Sequence, residues 1–388
     1  MRILIVHNLL WAHYKSTVFQ ALQQLVNQQE NTSVRVLQIA RNERSRASLE
    51  ALTDETTPTY VYEHELLFDR YLEDIGLVER VRALLQRTRA YRPDVIHLTG
   101  YYDPAQLALL GWARANGVRV VMQNESTASD HQRGKWKELF KRWVFRQCDG
   151  FFCFGSQSAD YLLQLGVPSA KILLRKSAVD NNALRAVYQR TLPNRASLQQ
   201  TMHLRAKNFI FVGRLIEAKN LPVLIDAFHQ ALERTLHPSE WGLVILGDGT
   251  ERNSLTQQID ALVLTDQVTM LPGRPWFRVP EVLAASDVLV LPSRSEPWGL
   301  VVNEAMACGL PVIVSDRCGC VKDLVHHEKN GFIFDPDQPA QLMQYLLRFM
   351  DGNVDVRQMG RFAQEFIAPY APEVVAQEML EGFHKIMN

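Results

Sequence analysis

The sequence predicts an α/β protein of two doubly wound domains in tandem, each a parallel sheet covered by helices, and three observations predict it. Short β-branched, apolar runs alternate with amphipathic stretches: ILIV, VRVLQIA, DVIHL, VRVVMQ and GFFCF before residue 160, then NFIFVG, GLVILG, QVTMLP and DVLVLP after 205. That alternation is the βαβ rhythm of buried parallel strands. The rhythm restarts near Asn208, after a polar interval from about Asn181 to Lys207 that is rich in Asn, Arg and Gln. The length, 388 residues, exceeds what one hydrophobic core ordinarily supports.

On this reading an N-terminal domain spans 1–190, a linker 191–207 and a C-terminal domain 208–360, with a helical segment 361–388 placed to cross back to the first domain. Ligand sites are expected at the carboxyl ends of the strands. The start, MRILIVHNLL, has strand length and lacks the small-residue cleavage site of a signal peptide, so it reads as a first buried strand. No apolar run approaches the roughly 18 residues that span a bilayer, which limits any membrane contact to a peripheral one.

The 42 basic residues balance the 42 acidic ones, so no global charge argues for nucleic acid. Five cysteines, Cys148, Cys153, Cys308, Cys318 and Cys320, form an odd set without a CxxC pair. Neither a disulfide framework nor a tetrahedral zinc site follows, and a reducing cytoplasm fits.

Three stretches after Asn208 carry chemistry. The strand ending at Val212 runs into Gly213-Arg214-Leu215-Ile216-Glu217-Ala218-Lys219-Asn220, followed by an apolar-periodic helix. Strand, basic loop and helix start converge amide groups, a helix dipole and two cations, which suits a pyrophosphate. The next strand ends in Gly247-Asp248-Gly249, a turn that lets backbone approach a ligand closely. The densest stretch, Leu291 to Ile313, is strand, turn, helix, strand, with Glu296 in the turn and Glu304 near the second helical turn. A helix opening near Gly299 and Leu300 aims its first amides at phosphate, while two carboxylates accept hydrogen bonds from sugar hydroxyls. The alternative is a helix-start Glu296 and a solvated Glu304, but Glu304 sits inside the apolar run LVVNEAMA.

These residues resemble the retaining GT-B glycosyltransferases of family 4 (glycosyl transferases group 1). The chain carries that family's Gly213-Arg214, Lys219-Asn220, Gly247-Asp248-Gly249, Leu271-Pro272-Gly273 and Glu296-x7-Glu304 with Glu-Ala-Met-Ala-x-Gly-x-Pro-Val, all in the family's order. The match covers roughly residues 150 to 345. It implies two Rossmann-like domains facing a central cleft and a hexosyl or related transferase that needs no cofactor or metal. The donor would be a UDP- or GDP-sugar, and the acceptor a glycan, lipid-linked or small molecule.

By the resemblance, Glu304 would bind the ribose hydroxyls, Glu296 the donor sugar, Arg214 and Lys219 the diphosphate, and the Gly299 and Leu300 amides the distal phosphate. The loop through Arg274 would flank the base, beside the Gly249 turn. Transfer would proceed with retention, the leaving diphosphate helping to deprotonate the acceptor. The lone DxD, Asp335-Pro336-Asp337, contains proline and reads as a turn rather than a metal site.

The N-terminal half departs from the family. In place of a Gly-Gly loop it has Asn8-Leu9-Leu10-Trp11-Ala12-His13-Tyr14-Lys15-Ser16, whose bulky residues either shape an acceptor site or pack the loop. Where the family places a His it reads Gln123-Asn124-Glu125-Ser126, so Glu125 is the positional candidate for accepting the acceptor's proton; the alternative is a capping or solvated carboxylate. His97, within DVIHL, reads as a satisfied core histidine.

One further stretch, 133–146, interleaves Trp136, Phe140, Trp143 and Phe145 with cations at helical spacing. It fits either a helix lying on an anionic bilayer or one burying its rings in the N-terminal domain. The leading expectation is a cytoplasmic sugar transferase, at the inner membrane face on the first reading, that builds a cell-surface glycan. Two others stay open, a non-catalytic nucleotide-sugar-binding partner and another GT-B enzyme such as an epimerase.

Overall fold

The computed structural model describes residues 1–10, 13–44, 58–127 and 135–388, with the side chains of 135–137 left aside. Two compact units emerge, Met1–Val179 with Tyr370–Asn388, and Asp180–Pro369.

The first unit contains β1 (Arg2–Leu9), β2 (Ser33–Asn42), β3 (His64–Tyr71), β4 (Val95–Leu98), β5 (Arg119–Asn124), β6 (Gly150–Cys153) and β7 (Ile172–Arg175). Among the described residues these form one sheet in the order β3-β2-β1-β4-β5-β6-β7, parallel throughout. Successive side chains of β1 leave on opposite faces. Leu4 and Val6 join Ile96, Met122 and Phe145, whereas Ile3 and Ile5 join Val18, Leu22, Val121 and Phe152. The helix Pro372–Met387 returns to that second face, where it contributes Val375, Met379 and Phe383.

The second unit contains β8 (Lys207–Val212), β9 (Trp241–Leu246), β10 (Val268–Leu271), β11 (Val288–Leu291), β12 (Val312–Ser315) and β13 (Gly331–Phe334). Their order is β10-β9-β8-β11-β12-β13. Phe209 stacks on Trp241 with centroids 4.6 Å apart, and Phe228 and Phe349 close around Phe209 edge-on. In each sheet strand order reverses once, between β1 and β4 and between β8 and β11. Loops leaving the carboxyl ends there diverge and open a crevice.

The units divide at Val179/Asp180, ahead of the interval expected as a linker. Residues Asn181–Thr191 and Arg195–Thr201 are helices of the second unit. Their polar side chains tie them down: Asp180 caps the first by accepting from the Ala183 amide at 3.0 Å. Arg195 pairs with Asp287 at 2.7 Å and donates to the carbonyls of Ala284 and Ser286 at 3.0 and 2.9 Å.

Candidate functional site

At the reversal point of the second unit, the loops after β8 and β11 are stitched together. The Arg294 amide donates to the Ala218 carbonyl at 2.9 Å. Buried Asn220, in the left-handed region at φ 56°, donates to the Pro292 carbonyl at 3.3 Å and accepts from Arg294 Nε at 3.1 Å. Across this seam Lys219 Nζ donates to Glu296 Oε2, with the two side chains only 14% and 17% exposed. Arg214 stays exposed on the same loop and forms no ion pair among the described residues.

Glu296 is held from behind. The Gly319 amide donates to its carbonyl at 2.9 Å and the Cys320 amide to that of Trp298 at 3.1 Å. A Cβ at Gly319 would stand 1.9 Å from the Pro297 oxygen, so only glycine permits this approach. Gly299, at φ 99°, turns the chain into the helix Leu300–Ala307. Val302, Asn303, Ala305 and Met306 are buried, and Asn303 accepts from Trp298 Nε1 at 2.8 Å.

Leu300 and Glu304 therefore share the remaining, part-buried face one turn apart. The apolar surroundings push the Glu304 carboxyl up to about 7. A simply solvated carboxylate would show no such rise.

The glycine turn after β9 packs against the chain's own loop after β8. A Cβ at Gly247 would lie 1.8 Å from the Gly213 oxygen, and one at Gly249 2.2 Å from the Leu215 oxygen. These glycines make room for the chain's own loop after β8, which Leu215 and Asp248 then bridge at 2.9 Å. Asp248 also accepts from the Gly273 amide at 2.7 Å, placing the Leu271–Arg274 loop beside this turn. Arg274 itself is engaged by Glu281 at 3.3 Å.

The first unit has its own cleft of about 160 Å³ at the carboxyl ends of β1, β4 and β5, lined by Asn8, Tyr14, Tyr102, Asn124, Glu125 and Ser126 among others. Gln123 Nε2 donates to Glu125 Oε1 at 2.6 Å, and Lys15 Nζ lies 3.7 Å from the same oxygen. Lys15, read from the sequence as part of the loop after the first strand, is buried on the helix His13–Val26 and sits 4.2 Å above the Phe154 ring. Burial pushes its pKa down to about 8 against the opposing pull of Glu125. Lys15, Val18 and Leu22 fall at i, i+3 and i+7, a spacing that marks Lys15 as part of the inward stripe.

Tyr101 and Tyr102, which sequence reasoning passed over, stack at 4.3 Å, and the Tyr102 and Ser126 hydroxyls are hydrogen-bonded at 3.0 Å. An aromatic pair just after a strand end was the available signal. Tyr14 sets its ring edge-on to Phe154 while also lining the cleft; Trp11 lies outside the described residues.

His97 departs from expectation in one respect. It is buried against Phe152 and Phe383, yet neither ring nitrogen has a hydrogen-bond partner. Desolvation pushes its pKa down to about 3, so the ring is neutral.

Asp335 and Asp337 form a turn in which the Asp337 amide donates to Asp335 Oδ1 at 3.0 Å, and Arg317 reaches both carboxylates. Among the described residues no group of three or more His, Cys, Asp or Glu is placed to hold a metal ion. All five cysteines are buried, and none forms a disulfide.

Residues 199–366 match the family model described as Glycosyl transferases group 1, and residues 18–175 match the Glycosyl transferase 4-like domain. A D-inositol 3-phosphate glycosyltransferase of Pseudarthrobacter chlorophenolicus is 28% identical over 332 residues, 81% of this chain and 76% of that one. An exopolysaccharide phosphotransferase of Streptomyces coelicolor is 29% identical over 186 residues, 48% of this chain and 19% of its own. The chain thus spans less than half the length of several curated relatives it matches.

In structure, Anabaena HepE in complex with UDP superposes with a TM-score of 0.76 at 19% identity, over 99% of this chain and 100% of that one. A UDP-GlcNAc 2-epimerase from Neisseria meningitidis superposes at 0.62 and 12% identity, over 99% and 100%. Residues 18–175 and 199–366 are thus each similar to a glycosyltransferase domain model, and the chain has the GT-B fold.

Proposed function

We propose that this chain is a retaining glycosyltransferase that moves a sugar from a UDP- or GDP-sugar to a hydroxyl of a glycan, lipid-linked or small-molecule acceptor, without a metal. The observation that carries the reading is the Lys219–Glu296 pair spanning the reversal point of the second unit, with Glu304 on the adjoining helix.

Without donor, the two charges neutralise each other. An arriving diphosphate gives Lys219 a second anion and leaves Glu296 oriented to accept from sugar hydroxyls. Arg214, exposed on the same loop, forks onto the phosphate oxygens, and the Gly299 and Leu300 amides complete the anion site. Glu304 accepts from the ribose hydroxyls, which offsets the cost of its burial. Gly249 and Arg274 belong to the turn and loop beside the base.

As the glycosidic bond breaks, negative charge grows on the diphosphate. Lys219 and Arg214 stabilise it, and a phosphate oxygen takes the acceptor proton on the same face. In the first unit Glu125, held by Lys15 and Gln123, receives a hydrogen bond from the acceptor, with Tyr102 as a ring for it to rest on. The proposed setting is the cytoplasmic side of a membrane, in cell-surface glycan synthesis. The UDP and UDP-glucose complexes of HepE support the donor class.

A thermal-shift screen against UDP, GDP, ADP and their sugars tests donor binding; a nucleotide that stabilises the native chain and not Glu304→Ala is the expected result. Because the same fold carries an epimerase, product analysis decides the reaction. Nucleoside diphosphate released in step with a glycosylated acceptor is expected. An epimerised nucleotide sugar, or binding without turnover, would replace this reading.

A further inference from the structure

The helix Lys135–Arg146 uses one face to anchor itself and presents the other to solvent. On the anchoring face Val144 and Phe145 are buried, Phe145 edge-on to Tyr101 and Phe151 at 5.2 and 5.5 Å. Lys141 Nζ donates to the Tyr161 hydroxyl at 2.8 Å. On the other face Leu139, Phe140 and Trp143 are 57%, 48% and 60% exposed, at i, i+1 and i+4. The Phe140 and Trp143 rings lie 6.2 Å apart and nearly parallel.

The alternative in which this helix buries its rings is thus overturned for Phe140 and Trp143; the Trp136 side chain lies outside the described residues. Three large apolar side chains kept together in water are unusual unless something covers them.

Charge says what that is. In a chain of zero net charge, 133–146 carries Arg133, Lys135, Lys137, Lys141, Arg142 and Arg146 against Glu138 alone. Arg142 and Arg146, one turn apart, are exposed beside the aromatic stripe, and neither forms an ion pair among the described residues. A second copy of the chain would set this cationic row against itself across a two-fold axis. A bilayer with anionic headgroups instead takes rings at its interface and cations at its surface.

We propose that the Leu139/Phe140/Trp143 stripe, flanked by Arg142 and Arg146, docks the first unit on an anionic lipid surface. The surface is independent of the donor residues, so its test is run without nucleotide, and failure of the transferase reading leaves it standing.

The full chain is floated with phosphatidylcholine vesicles with and without phosphatidylglycerol. Binding only with phosphatidylglycerol, weakened by added salt, is expected. Arg142→Gln with Arg146→Gln should weaken it by about 30-fold, from about 1 kcal/mol per cation near the surface. Phe140→Ser with Trp143→Ser should abolish it. All four positions are exposed, and an unchanged melting curve confirms the fold. Failure of the native chain to float, equal binding to uncharged vesicles, or equal binding by either double variant overturns the proposal. So does a concentration-dependent dimer that the Phe140/Trp143 variant loses, which would make the stripe a self-association face.

Discussion

Replacing Glu304 by Gln keeps the side chain's shape while removing its charge, and the structure fixes what that should do to stability. Burial lifts the carboxyl from 4.5 to about 7. Between those values the folded chain holds a proton that the unfolded chain has released. Stability therefore falls as pH rises from 4.5 and the loss is complete above about 7. The interval amounts to about 3 kcal/mol at 1.36 kcal/mol per unit. Glu304→Gln should match the native chain near pH 4.5 and exceed it by about 3 kcal/mol at pH 8, read as a rise in urea midpoint at unchanged slope. The same substitution should weaken nucleotide binding about ten- to a hundredfold, the worth of a charge-assisted hydrogen bond. Parallel pH curves for the two proteins would refute the desolvation argument. Unchanged calorimetric affinity for every nucleotide would refute the ribose assignment.

Lys219→Met should leave Glu296 charged and nearly enclosed, costing about 3 kcal/mol of stability by urea unfolding. The double variant Lys219→Met/Glu296→Gln should regain most of that stability and none of the transfer activity. Lys15→Met should stabilise the chain at pH 7: its pKa is depressed from 10.5 to about 8, so the native stability present above 10.5 is lost as pH falls through 8. The gain should vanish above pH 10.5, while turnover of acceptor falls because Glu125 loses its cation. Gly247→Ala should lower the melting temperature by several degrees, since its Cβ would overlap the Gly213 oxygen.

What could be read from residues alone follows from burial. Strands such as ILIV and DVLVLP lie inside their sheets with both faces covered, so they appear as continuous apolar runs. The edge strands HELLFDRY and ILLR are partly exposed, and their mixed patterns conceal them. Residues 181–201 were polar because Asp180 and Arg195 fasten helices there, which resembles a linker in composition and not in structure. Lys219 and Glu296 were legible as charged residues in loops. Their pairing was not, because it depends on β8 and β11 being neighbours in the sheet, and chain order places β9 and β10 between them. The loop reading of residues 8–16 leaves out that Lys15 shares a helical spacing with Val18 and Leu22, which turns it inward.

Lys15 and Glu304 belong to separate units and to proposed roles on acceptor and donor, yet each is a charge whose burial the fold resists. Neither fits an account in which these positions serve stability, since a methionine or a glutamine would serve it better. Each does fit a site completed by a ligand, ribose hydroxyls donating to Glu304 and an acceptor drawn to the Glu125 that Lys15 orients. The two pKa shifts have opposite signs, so they bracket a window. Below about 7 Glu304 is protonated and gives up its charge-assisted hydrogen bonds, and above about 8 Lys15 is neutral and stops orienting Glu125. Transfer should accordingly peak between those values and fall on both sides. Glu304→Gln should flatten the acid limb at a lower rate and Lys15→Met the alkaline one. A native profile with no alkaline fall would break the link between Lys15 and Glu125 while leaving the donor site intact.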